Sequence, residues 1–129
     1  MLSPSVVTGN AAHDAEPFRG WFIGHFVPAE LGPRSTEAVE VKWGAHALGE
    51  ARSAWAASDA ATSLSVLVRG CIRLFFATGD EALLAEPGDY ALWPPGVAHR
   101  WQIEQEDTIV LTVRWPSQPQ AGGPSVGMW

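Results

Sequence analysis

The side chains best suited to chemistry in this sequence are its four histidines, and one of them stands in a distinctive setting. The run "GDYALWPPGVAHRW", Gly88 to Trp101, opens on Gly-Asp and continues through an apolar stretch. It turns at Pro94-Pro95-Gly96 and reaches His99 three residues later. Near neutral pH an imidazole can ligate a metal, transfer a proton, or serve as the polar point of a pocket. His25 in "WFIGHF" and His46 in "VKWGAH" are further candidates, whereas His13 lies among small polar residues and carries no signal. Cys71 is the single cysteine, which excludes an intramolecular disulfide and a thiolate zinc site.

Short strands must position these groups. Apolar runs of five to eight residues recur along the chain, among them "WFIGHFV" (21–27), "SLSVLVRG" (63–70), "CIRLFFA" (71–77) and "TIVLTVRW" (108–115). Turn signals such as "LGPRS", "TGD", "EPGD" and "PPG" separate them, a rhythm that reads as an antiparallel sandwich or barrel. Alternation divides one run into two faces, with Val39, Val41, Trp43 and Ala45 on one and Glu40, Lys42, Gly44 and His46 on the other. No window supports a long helix. Residues 1–16 read as a flexible arm, 17–116 as a single all-β domain and 117–129 as a Pro/Gly-rich tail.

Bulk properties narrow the partners. The 129 residues carry a net charge of −6 with a pI near 5.0, and their eight Lys and Arg residues are scattered. That charge argues against nucleic acid and against an anionic membrane surface. No apolar segment reaches the roughly 18 residues of a membrane span, and the N-terminus lacks a signal peptide's basic and apolar regions. The expectation is a cytoplasmic protein. Seven tryptophans provide material for an apolar ligand pocket, or for filling a core.

The run from Gly88 resembles the second signature of the cupins, G-x5-P-x-G-x2-H-x3-N, with Gly88, Pro94, Gly96 and His99 in place and Ile103 standing where Asn is expected. The resemblance extends over roughly residues 20–115, and "VEVKWG", "LVRG" and "LTVRWPS" look like small stand-alone bacterial cupins. It implies a double-stranded β-helix, the jelly-roll cupin barrel. It also implies a first signature, G-x5-H-x-H-x3,4-E-x6-G, that would supply three more metal ligands. Anchored on Gly49 and Gly70, that signature puts Trp55 at or near a histidine position and Ser63 at the glutamate position. Three of the four expected ligands are missing, so the expectation is a site without a cofactor. The alternative is a divalent ion held by His25, His46 and His99.

Carried over onto the cupin strands, the resemblance implies an interior lined by Trp55, Leu67, Trp101 and Ile103. Ser63, Ser65 and His99 are its polar points. Arg114, Arg52 and Tyr90 stand at its rim. The expected function is binding of a small apolar or aromatic molecule without a metal. Two alternatives are an isomerase, cyclase or lyase using His99 as acid/base, and a metal-dependent oxygenase or hydrolase using the three histidines. A homodimer is expected, with "GWFIGHFV" as its interface.

Overall fold

The computed structural model describes residues 5–119. A single helical turn, α1 (Ala11–Asp14), and short 3-10 segments precede and follow the first strand, and the rest of the fold is nine strands. They are β1 (Trp21–Ile23), β2 (Glu40–His46), β3 (Ala51–Ala56), β4 (Thr62–Arg69) and β5 (Ile72–Phe76), then β6 (Glu81–Leu84), β7 (Tyr90–Trp93), β8 (His99–Ile103) and β9 (Thr108–Trp115). They form two sheets, ordered β1-β2-β9-β4-β7 and β3-β8-β5-β6, with every pairing antiparallel. The expected all-β jelly roll is the observed one.

Directly paired residues share a face, so the registers sort the interior into layers. At one end Glu40, Arg114, Ser63 and Trp93 lie in line across the first sheet, and Ala56, His99 and Phe76 across the second. The next layer holds Lys42, Thr112 and Ser65 facing Arg52, Trp101 and Leu74. The third is apolar throughout, with Val110, Leu67, Ile72, Ile103 and Leu84 around Gly44. One half of the barrel is thus an ordinary core, and the other is lined with polar and charged groups.

Glycines at the strand junctions do the mechanical work that the signature suggested. Gly88 and Gly96 hold φ of 94° and 86°, a region other residues avoid. Gly88 N–H donates to Leu67 O (2.8 Å) and Gly96 N–H to Ser58 O (2.8 Å), which fixes both ends of β7 before β8 delivers His99.

The face assignment on β2 is the reverse of a simple core reading, because Glu40, Lys42 and Gly44 are buried while Val41 and Trp43 are only half-buried. The segment expected as a loose arm also carries structure at its end. Asn10 caps α1 by accepting the His13 N–H (3.1 Å), and Ala15 is buried. Arg34 Nε donates to Phe22 O (2.9 Å), binding the segment after β1 back onto that strand. Within "GWFIGHFV", Trp21 and Val27 are buried in the protein's own core, while Phe22, Ile23, His25 and Phe26 are half-buried. Of the expected tail, Ser117 is buried in the domain, and residues 120–129 lie outside the described residues.

Trp21 is fully buried and packs with Leu67, Ile72 and Trp101, so it joins the N-terminal segment to the barrel core. Trp21→Ala is expected to cost about 3–5 kcal/mol, the usual range for removing a buried aromatic. Urea denaturation followed by circular dichroism measures it, and a loss below about 1 kcal/mol would show that β1 is not integral to the core.

Candidate functional site

The polar half of the barrel is organised by a buried ion pair. Arg114 donates through Nε to Glu40 Oε2 (2.9 Å), and its Nη2 lies 2.6 Å from the same oxygen. Ser117 Oγ donates to Glu40 Oε1 (2.8 Å) and accepts the backbone N–H of His25 (2.9 Å). The His25 ring joins the network through Nδ1, 2.8 Å from Ser117 Oγ. The guanidinium of Arg114 lies over the Trp21 ring at 4.4 Å, and Lys42 Nζ stands 5.9 Å from that ring. Both contacts use the negative face of an aromatic to hold a cation in a dry setting.

Lys42 is 8 % exposed, and its pKa is pushed down to about 8, first by burial and then by the charges of Arg114 and Arg52. His99 is pushed down to about 4, chiefly by burial. A hydrogen bond to the Ala56 backbone opposes that shift, and Arg114, Arg52 and Lys42 reinforce it. His99 is therefore a neutral imidazole at pH 7. Its ring tilts against Trp93 (4.9 Å between centroids), and Trp93 packs edge-on to Phe76 (5.1 Å). Three cations and one carboxylate occupy this half of the interior, in a protein whose overall charge is −6.

A cleft of about 330 Å³ opens beside β2 and meets this region at Lys42, with His46, Glu50, Arg19, Glu16 and Gly20 also among its lining. His46 Nδ1 lies 3.2 Å from Glu50 Oε1, and its ring rests on Trp101 (4.7 Å). Burial lowers the His46 pKa, with Glu50 opposing. Glu50 is held by the Ala47 N–H (2.6 Å), and that bond and His46 keep its carboxyl below the usual range. Another cavity, about 520 Å³, lies beside Val6, Val7, Phe22 and Ile23, away from these charges.

Alternation on β4 and β8 places Ser63, Ser65, Leu67, His99, Trp101 and Ile103 in the interior, as their spacing suggested. Trp55 is a correction. It is 48 % exposed, and the Arg100 guanidinium covers its ring at 4.9 Å. The cause is the phase of β3. Arg52 pairs with Trp101 and Ala56 with His99, so these two face inward and Trp55, one step from Ala56, faces outward. An irregularity between them sets four steps on β3 against two on β8. Trp93 takes the place beside His99 that Trp55 was expected to fill. Arg114 and Tyr90 are corrected too, since Arg114 is interior rather than at the rim and Tyr90 is 65 % exposed on the outer face of β7. Lys42, Glu40 and Trp21 were not expected in the site. The available signal was the composition, because Lys42 is the only lysine and the other seven basic residues are arginine.

The donor set does not fit a divalent metal. Where cupin metal sites draw ligands, this interior offers Ser63 opposite Arg114, with Trp55 turned outward, and the cations around His99 would repel a divalent ion. His25, His46 and His99 occupy three separate settings: the Glu40 network, the Glu50 pair and the Trp93 face. Among the described residues, no three His, Cys, Asp or Glu side chains come together to hold an ion.

Two antiparallel sheets in this strand order, with a histidine delivered inward by the strand after a Pro-Pro-Gly turn, define the cupin double-stranded β-helix. Solved structures agree. KdgF from Halomonas sp. is similar with a TM-score of 0.58 at 17 % identity, over 64 % of this chain and 74 % of that one. An RmlC-like cupin from Shewanella frigidimarina gives 0.55 at 18 % identity, over 64 % and 69 %. Bacillus subtilis oxalate decarboxylase, a protein with Mn(II) centres, gives 0.57 at 20 % identity, over 71 % of this chain and 24 % of that one. No protein-family model matches the chain, and no curated protein matches it. The chain has the cupin fold, and its function must be argued from the site.

The Lys42 environment has a stability consequence. A pKa lowered from 10.5 to about 8 corresponds to roughly 3 kcal/mol against the charged form. The folded state bears that cost below pH 8. Between pH 8 and 10.5 the unfolded chain binds more protons than the folded one, so stability rises with pH across that window. Lys42→Met should therefore stabilise the fold by up to roughly 3 kcal/mol at pH 7 and flatten the rise above pH 8, as read by urea denaturation at several pH values.

Proposed function

We propose that this protein binds a small organic anion, a carboxylate with an apolar or aromatic body, without a metal ion. The observation that carries this reading is the convergence of Lys42, Arg52 and Arg114 on the interior around His99. Buried like charges repel, and an anion entering their midst relieves that repulsion and gains charge-assisted hydrogen bonds. Trp43 and His46 line the same cleft and offer flat faces for the ligand's body. A volume of about 330 Å³ sits at the low end for ligand sites and limits the occupant to a small molecule. The charged lining differs from the apolar slot with a few polar points that the cupin resemblance implied. A neutral His99 acts in this reading as a hydrogen-bonding group rather than as an acid.

Tryptophan-fluorescence titration tests it with matched pairs such as phenylacetate and phenylacetamide. The carboxylate is expected to bind at least about tenfold more tightly, since one charge-assisted contact contributes over 1.4 kcal/mol. Arg52→Gln should erase most of that preference, and added Mn²⁺ or Zn²⁺ should leave it unchanged. Equal affinity for acid and amide, or an affinity that depends on the metal, would sink the reading.

A further inference from the structure

The chain has one lysine, and the fold places it inside the barrel at the floor of a cleft rather than on the surface. Every other basic residue is arginine, including the two whose charges act on it. Arginine does better than lysine at holding a carboxylate, and it stays charged at all accessible pH values. The property that lysine alone brings to this position is the capacity to become a neutral amine. His46 and Glu50 line the same cleft, paired at 3.2 Å in the carboxylate–imidazole arrangement that orients a proton-transfer group.

We propose that Lys42 is a nucleophilic amine that condenses with a 2-oxo acid, with His46, oriented by Glu50, moving the protons. This deepens the anion-binding reading and rests on it, because Arg52, whose charge acts on Lys42, supplies the positive charge toward the acid's carboxylate. The neutral Nζ attacks the keto carbon and forms a C–N bond. The nitrogen sheds one of its two protons through His46 to the carbonyl oxygen, which becomes the hydroxyl of a carbinolamine. His46 then delivers a proton to that hydroxyl, water leaves, and the nitrogen gives up its own proton to complete the C=N bond. Amine plus ketone yields imine plus water, with no change of oxidation state and no co-reactant. The local charges prepare the amine, since burial with Arg114 and Arg52 brings half of Lys42 to the neutral form near pH 8. Gly20 keeps the approach open: it holds φ of 101°, and a Cβ there would stand 3.0 Å from Lys42 Cε. Glu50 is a positioning residue in this scheme, acting through His46.

Reductive trapping of the full chain tests the proposal. Pyruvate, 2-oxobutyrate and phenylpyruvate are each supplied with cyanoborohydride, and the product is read by intact mass and peptide mapping. The expected result is one added group on Lys42 from at least one of the three acids, formed at least about tenfold faster than on free Nα-acetyl-lysine. Its rate should rise with a midpoint near pH 8. Glu50→Gln, at an exposed position, should slow labelling of Lys42 by about tenfold or more and shift its pH profile, while leaving the rate at the chain's terminal amine unchanged. A Lys42 labelled no faster than the free amine overturns the proposal, and an unaltered rate and profile in Glu50→Gln overturns the part given to His46 and Glu50. Fluorescence titration with the same acids without reductant separates the two readings. Binding without an adduct refutes the amine chemistry alone, and absence of both refutes the anion site as well.

Discussion

The Glu40–Arg114 ion pair is the constraint on which the interior depends. It joins neighbouring strands β2 and β9 at one end of the barrel, with both side chains almost wholly buried. Leaving either partner alone there would be expensive, since an uncompensated buried charge costs several kcal/mol. Ser117 and His25 complete the shell of Glu40, so residues from both ends of the described chain are drawn to one carboxylate. Trp21 closes the other side by lying under the Arg114 guanidinium. Glu40 is thereby committed to Arg114, and Lys42 and Arg52 lie in the next layer of the same interior.

The barrel therefore serves two purposes along its length. Its third layer, with Val110, Leu67, Ile72 and Ile103, provides the burial that holds the sheets together. Its first two layers hold charge at some cost to stability. The cationic lining also accounts for the poor fit to a divalent metal: the positive charge repels an ion like those that a cupin metal site holds.

Much of this was legible in the sequence, and the failures have identifiable causes. The spacing from Gly88 to His99 specified a turn, a strand, a corner and an inward histidine, because glycine conformation and strand alternation are local properties. Ser63, Ser65, Trp101 and Ile103 followed from the same period of two. Trp55 did not, because nothing local in the sequence marks the phase of β3. Arg52 and Ala56 set it by pairing with inward residues of β8, and they leave Trp55 at an outward position. On β2 the alternation was visible, but its sign was not. Nothing within "VEVKWGAH" says that Glu40 will meet Arg114, some seventy residues away, and so bring the polar face inward. Trp93 was hidden in the variable positions of a recognised motif, where its pairing with Ser63 decides its direction.

The burial of the only lysine also shapes how the protein meets its surroundings. An exterior whose cations are all arginine offers no side-chain amine to acylating reagents, amine-coupled dyes or cross-linkers. Modification of that kind will be directed to the terminal amine and, where the cleft admits the reagent, to one interior atom.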